Sequence, residues 1–308
     1  MNAKRGGNVL KKICVIFVAL FMATCCCMGE EMPEWTEQTD YLYGLYITDM
    51  EGGALPPAPM DVSMLENGIR IEIINGMPYA DRFSLVAILN GHVQPFYIEG
   101  EPVDYLTSEI EGDGHLFFDV AFRDFYVSDV GVQYLHLLCV GILDRVPKSE
   151  WDAISNYSVA VTLPFQTQEA ANVAIPFQSP QMTLPEEVTK NYCDYYCMLD
   201  FYDRIEGNSI CFPPCIQETE DNSAEFTLIA TGDCQMMQVV TFFDGAPCAN
   251  EDRTIPCFWL ARGNAWQFSF SLPAQGEGSH QAFAVALPLF GTSGVIPATP
   301  KIQFYCTQ

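Results

Sequence analysis

From Tyr41 onward, apolar and polar residues alternate with a period of two in short runs separated by turn-forming residues. Ile69, Ile71 and Ile73 alternate with Arg70 and Glu72, and Leu116, Phe118, Val120 and Phe122 with His115, Asp119 and Arg123. Further along, Trp266, Phe268, Phe270 and Leu272 alternate with Gln267, Ser269 and Ser271, and Phe283, Val285 and Leu287 with Ala282, Ala284 and Ala286. A period of two places one set of side chains on one face of a strand, so these runs predict strands with a buried face. Asn75-Gly76, Asn90-Gly91, Gly112-Asp113-Gly114, Asp244-Gly245 and Gly263-Asn264 fall between the runs, and most of them predict hairpin turns. No long helical periodicity occurs after the apolar N-terminus, so the chain reads as all-β.

The runs recur in order. YGLYITDMEGG (43–53) returns as YCMLDFYDRIEG (196–207), LPPAP (55–59) as FPPCI (212–216), and IRIEIING (69–76) as EFTLIATG (225–232). SLVAILNG (84–91) pairs with QVVTFFDG (238–245), HLFFDVAF (115–122) with AWQFSFSL (265–272), and QYLHLLCV (133–140) with QAFAVALP (281–288). An ordered series at a slowly shrinking offset is the mark of a duplicated domain with small loop deletions in the second copy. The predicted organisation is a signal segment (1–24), an acidic tether (25–40), a first β-sandwich (41–166), a linker (167–189) and a second, cysteine-rich sandwich (190–308). About seven strands per copy suit a tandem of immunoglobulin-like sandwiches, with a jelly roll as the alternative. The small Ala282, Ala284 and Ala286 face predicts close approach of the other domain or of a partner sheet.

The N-terminus changes the cellular setting. Lys4, Arg5, Lys11 and Lys12 precede an apolar run from Ile13, the pattern of a secretory signal too short for a spanning helix. The segment FMATC, ending at Cys25, resembles the lipobox of bacterial lipoproteins, with Met22 and Thr24 departing from the family's usual residues. That resemblance implies lipidation of Cys25 and a membrane attachment through the N-terminal anchor alone. Simple cleavage to a secreted protein is the alternative. The full chain carries 14 basic and 39 acidic residues, net −25. Removal of residues 1–24 leaves 10 basic against 39 acidic residues, net −29. Such a charge repels phosphate backbones and argues against nucleic-acid binding.

Candidate chemistry is sparse. Cys193, Cys197, Cys211, Cys215, Cys234, Cys248, Cys257 and Cys306 crowd the second copy, whereas the first has only Cys139, predicted as a small buried hydrophobe. Disulfides are the expectation for an exported domain, with Cys248–Cys257 the most local pairing; reduced thiols and a four-thiolate zinc site are the alternatives. EIEGDGHLFFDV begins like a calcium loop, but Val120 stands where the bidentate glutamate is needed, so it reads as a hairpin turn. None of His92, His115, His136 and His280 sits in a catalytic motif, and His115 and His136 read as exposed on polar strand faces. No catalytic residue, cofactor or metal is therefore assigned. Trp151, Trp259, Tyr97, Tyr105 and Tyr126 fall at loops or strand ends and are candidate ligand-contact aromatics. The expectation is a non-catalytic surface or secreted binding protein with a protein or glycan ligand. A carbohydrate-active hydrolase and a structural spacer of an envelope assembly are the alternatives.

Overall fold

The first copy folds as two packed sheets, antiparallel but for one pair of strands. In the computed structural model, which describes residues 43–56, 58–129, 131–141, 158–179, 182–192, 198–213, 216–219, 225–231, 235–271, 278–291, 298–299 and 301–306, its strands are β1 (Tyr43–Thr48), β2 (Met60–Asp61), β3 (Ile69–Asn75), β4 (Asp81–Leu89), β5 (His92–Val93), β6 (Phe96–Ile98), β7 (Glu101–Val103), β8 (Tyr105–Ile110), β9 (Gly114–Phe122), β10 (Gly131–Val140) and β11 (Ser158–Thr167). One sheet runs β1-β3-β9-β6-β7 and the other β2-β11-β10-β4-β5, with β8 also on β4. Ile69, Ile71 and Ile73 point inward between them, where they meet Phe83, Leu85, Leu135, Leu137 and Cys139. A short helix α1 (Val62–Asn67), capped by Asp61 accepting from the Ser63 N–H, adds Leu65 to this core.

The second copy repeats the plan with β12 (Phe177–Gln178), β13 (Met182–Thr183), β14 (Met198–Phe201), β15 (Arg204–Glu206), β16 (Ser209–Cys211), β17 (Ile216–Thr219), β18 (Glu225–Thr231), β19 (Gln235–Phe243), β20 (Ala246–Cys248), β21 (Cys257–Leu260), β22 (Asn264–Ser271), β23 (Gly278–Pro288) and β24 (Ile302–Cys306). Its sheets run β12-β21-β19-β23-β24-β17, with β20 on β19, and β13-β22-β18-β14. The triplet β1-β3-β9 matches β14-β18-β22, and β2-β11-β10-β4 matches β17-β24-β23-β19. Even the unusual parallel pairs correspond, β2 with β11 and β17 with β24. A strand that crosses to pair in parallel with the last strand is an immunoglobulin-like feature, so both copies are immunoglobulin-like sandwiches. Of the stretch between the copies, β12, β13 and helix α2 (Glu186–Tyr192) belong to the second sandwich by their pairing and packing.

The two turns predicted to match do so. Asn90-Gly91 and Asp244-Gly245 both take positive φ and close β4–β5 and β19–β20. The turn at 111–113 connects strands of different sheets, because β8 pairs with β4 while β9 pairs with β3. Asn75 is likewise a bridge between sheets: its buried amide donates to the carbonyls of Tyr79, Ile110 and Glu111.

The sandwiches share a core. Val86, Ile88, Val93, Leu138 and Val140 of the first pack on Val240, Phe242, Ile255, Phe283, Val285 and Leu287 of the second, and the Phe242 and Phe283 rings stack at 4.8 Å. The central strands β4, β10, β19 and β23 are therefore buried on both faces. This corrects the reading of β23: Ala282, Ala284 and Ala286 line the second sandwich's own interior, and the bulky Phe283, Val285 and Leu287 meet the first. It also shifts the repeat by one residue on this strand, and register shifts it likewise on β14 and β18, where Leu45 and Ile71 correspond to Leu199 and Leu228 rather than to Met198 and Thr227. Val86 pairs with Leu138 and its counterpart Val240 with Val285, whereas matching QYLHLLCV directly to QAFAVALP sets Leu138 against Ala286. A slip of one reverses every side chain.

Hydrogen bonds lock this seam. The Val93 N–H donates to the Arg253 carbonyl at 2.9 Å, the Ile255 N–H to the Gly91 carbonyl at 2.8 Å, and the Gly91 N–H to Gln238 Oε1 at 3.0 Å. A Cβ on Gly91 would sit 2.5 Å from Cys257 Sγ and 2.7 Å from a Pro176 ring carbon, so the close approach needs glycine. Buried Lys301 donates to the Gly141 carbonyl and lies over the Phe283 ring. The described residues form one compact unit.

Candidate interaction surfaces

The predicted contact aromatics scatter. Tyr126 is a strut of the seam: its hydroxyl accepts from Arg253 Nη1, and its ring stacks on His92 at 4.7 Å. Tyr105 lines an open crevice of about 330 Å³ across the seam with Asp104, Glu251 and Arg253, where Arg253 Nε lies 3.0 Å from Asp104 Oδ1. Tyr97 carries the Arg123 guanidinium 5.1 Å over its ring. Trp259 is 46% exposed on β21, and Trp151 lies outside the described residues. A second crevice, about 500 Å³, opens elsewhere along the seam between Val132, Ile175, Phe177 and Phe290.

The cysteine expectation is corrected where it can be seen. Cys211, Cys248 and Cys257 are free thiols, as is Cys139. Cys248 opposes Thr241 and Cys257 opposes Gln238 along the same edge of β19. An odd separation on one strand places the two sulfurs on opposite faces of the sheet, Cys248 toward the sandwich interior and Cys257 toward Gly91 at the seam. They cannot bond without breaking the sheet. Burial pushes the Cys248 thiol up to about 11 and that of Cys257 to about 12, which makes both inert at neutral pH. Cys25, Cys193, Cys197, Cys215 and Cys234, and the side chain of Cys306, lie outside what is described, as do the signal segment and the acidic tether. Among the described residues no three acidic, histidine or cysteine side chains gather to hold a metal, and no helix is long and apolar enough to cross a membrane.

The histidines divide. His115 is on the surface, as its polar strand face implied, and its Nδ1 lies 2.7 Å from Glu72 Oε1. His136 is fully buried at the seam, contrary to the same reasoning, because β10 buries both faces. Its Nδ1 lies 2.9 Å from Thr162 Oγ1, and desolvation lowers its pKa to about 4. His280 reaches Asp244 at 2.8 Å beside Phe243 and Phe304.

The best-formed surface was not among the predicted contacts. On the outward face of β1-β3-β9, register sets three rows: Gly44, Ile74 and His115; Tyr46, Glu72 and Phe117; Thr48, Arg70 and Asp119. Tyr46 and Phe117 are 56% and 57% exposed, and they flank Glu72 on the adjoining strands. A Cβ on Gly44 would meet the Tyr46 ring at 2.8 Å, so the ring lies over the glycine toward Ile74. The His115 ring lies 11° from parallel to Phe117, with centroids 6.2 Å apart. Arg70 clasps Asp119 through two bonds of 2.8 and 3.0 Å, which raises the Arg70 pKa and lowers that of Asp119. The signal was present in the sequence as Phe117, an aromatic on the polar side of an otherwise alternating strand.

The equivalent face of the second sandwich is covered. There Asp200, Ile229 and Gln267 take the places of Tyr46, Glu72 and Phe117. Leu184, Val188 and Ile210 of β16 close over Ile229 and Ala265 of β22 in a small core of their own. Burial raises the pKa of neighbouring Asp200 to about 7.

No family model and no curated protein matches the chain. Among solved structures it is similar to the CupB2 chaperone of Pseudomonas aeruginosa, with 9% identity over 80% of this chain and 96% of that one and a TM-score of 0.25. It is also similar to the Salmonella enterica SafA pilin in complex with the SafB chaperone, with 12% identity, 76% and 88% coverage and a TM-score of 0.24. A third similarity is to the CsuC-CsuE chaperone and tip adhesion subunit complex of Acinetobacter baumannii, with 8% identity, 78% and 92% coverage and a TM-score of 0.20. At these scores the likenesses carry no argument, and the fold rests on strand order and register.

Proposed function

We propose that the chain is a non-catalytic, exported binding protein that docks a protein partner on the outward β1-β3-β9 face of its first sandwich. The observation that carries this reading is the contrast between the copies: the same face is closed by the chain's own Leu184, Val188 and Ile210 in the second sandwich, while in the first it presents Tyr46 and Phe117 more than half exposed. Exposed aromatics set among charged groups suit a protein contact, since rings supply buried area and the surrounding charges supply orientation. The shared seam core supports a rigid display platform, because it fixes the two sandwiches as one body. Attachment through a lipidated Cys25, with secretion as the alternative, places that platform outside the cell.

The test is photo-crosslinking from a benzoylphenylalanine placed at position 117, compared with one at exposed Tyr305 on β24. Specific adducts to a protein from 117, absent from 305, support the reading. Adducts from neither position, or equal adducts from both, sink it. A glycan partner would appear as binding without a protein adduct. Intact mass of the membrane-extracted protein tests the anchor: a diacylglyceryl modification on Cys25 is expected, and an unmodified N-terminus removes that element.

A further inference from the structure

We infer that the Tyr46–Glu72–Phe117 row receives a basic side chain, arginine foremost, from the partner protein; the inference rests on the docking face just proposed and adds the chemistry of its occupant. Strand spacing near 4.8 Å puts the backbones bearing Tyr46 and Phe117 ~10 Å apart, with the Glu72 carboxylate between them. His115 Nδ1 lies 2.7 Å from Glu72 Oε1, so the place for an incoming cation is the second carboxylate oxygen, Oε2, beside the exposed sides of the two rings. A planar guanidinium fits best, since it stacks on rings and pairs with a carboxylate oxygen at once.

Three observations point to this occupant. The chain carries 39 acidic against 14 basic residues, so a basic partner is drawn to it at long range. Among the described residues, the chain's own basic groups leave Oε2 of Glu72 without a cation: His115 Nδ1 meets Oε1, and Arg70 is held by two bonds to Asp119 one row away. The same sheet already uses this chemistry within the molecule, at Tyr97 under Arg123. The covered face of the second sandwich supplies the contrast: its central position is Ile229, and what lies on it is aliphatic, from Leu184, Val188 and Ile210. An isoleucine at the centre accepts an aliphatic cover; a glutamate between aromatics accepts a cation.

The experiment measures binding of the full chain to labelled short peptides, identical except for a central arginine, citrulline or glutamate flanked by leucines, by fluorescence anisotropy at low and high salt. The arginine peptide is expected to bind about tenfold more tightly than the isosteric citrulline peptide, a difference of ~1.4 kcal/mol. Glu72→Gln should erase that preference, and Phe117→Ala should weaken both peptides. Equal binding of arginine and citrulline peptides, or an arginine preference that survives Glu72→Gln, overturns the inference. If both peptides bind equally and Phe117→Ala abolishes both, the docking face stands and only its cation selectivity fails. If Phe117→Ala leaves every peptide unaffected, the docking face itself fails. No binding by any peptide overturns the inference, while the crosslinking test still decides the face.

Discussion

The outward faces of β1-β3-β9 and β14-β18-β22 descend from one duplicated sheet and have opposite fates. Inward, the copies keep the same register: Leu45, Ile71, Ile73 and Leu116 in the first correspond to Leu199, Leu228, Ala230 and Trp266 in the second, and all of them contribute to their own sandwich's core. Outward, the row aromatic–acid–aromatic has become acid–isoleucine–amide. An inward position is constrained by the opposing sheet, where a change of one methylene is felt. An outward position is constrained only by what lies on it. The difference therefore marks where the two copies took on different work: the second closed its face and the first kept it open.

The largest effect should come from breaking the closed face. Val188 is fully buried against Leu184, Ile210 and Ile229. Val188→Asp puts an unpaired carboxylate there and should lower the unfolding free energy by ~3 kcal/mol. Phe117→Asp, on the open face of the equivalent sheet, should cost less than ~0.5 kcal/mol. Urea titrations of both variants check the contrast, and equal losses would mean that the open face is covered in solution.

The seam offers a third condition of a sheet face, covered by the other copy. Gly91→Ala adds a methyl 2.5 Å from Cys257 Sγ at φ +77°, and should cost ~2 kcal/mol through strain and forced separation of the sandwiches. A cooperative transition that splits in two on calorimetry is the signature to look for; an unchanged profile would show that the seam does not couple the copies.

Two buried titrating groups sharpen the comparison with smaller effects. Asp200, under the second sandwich's cover, has its pKa raised to about 7 by desolvation. Its folded state favours the proton, so its contribution to stability is complete below the unfolded value of ~3.9 and is lost as pH rises toward 7. Asp200→Asn should therefore raise Tm at pH 8 by about 2–4 °C and leave it nearly unchanged at pH 4. His136, at the seam, is displaced the other way, to about 4, by desolvation. Its contribution is full above the unfolded value of ~6.5 and is lost as pH falls toward 4, so His136→Leu should outlast the native chain at pH 4.5 and show no advantage at pH 8. Parallel pH–stability curves for variant and native chain would refute either assignment.

Much of this was legible in the chain. The duplication, the all-β class and the matched Asn90-Gly91 and Asp244-Gly245 turns follow from alternation and turn chemistry, which are local. Burial on two faces was legible in part, since LVAIL (85–89) and VVTFF (239–243) are nearly continuous apolar runs of the kind that buried strands need. What alternation cannot say is which face meets which neighbour. That is why β23 was turned the wrong way, with its alanines expected outside, and why His136 was placed in solvent. The short strands β6 and β7 are not legible in the sequence, because Tyr97, Glu99, Glu101, Pro102 and Asp104 give no clean period. The open face escaped notice for another reason: Tyr46, Glu72 and Phe117 are far apart in sequence, and only strand register brings them into one row.

The smallest expected effect on stability is also the one that isolates function. Tyr46→Ser and Phe117→Ser remove rings that contribute little to either core, so each variant should stay within ~0.5 kcal/mol of the native unfolding free energy. If this face binds a partner, the same changes should weaken the complex by about 2 kcal/mol apiece, the range in which an exposed aromatic becomes a buried anchor. The matching changes in the second copy, at Asp200 and Gln267, should leave binding untouched. Stability unchanged and binding lost at the first pair alone would assign recognition to the open face. A comparable loss of stability at Phe117 would instead make the ring a structural group, and the two copies would then differ in packing rather than in purpose.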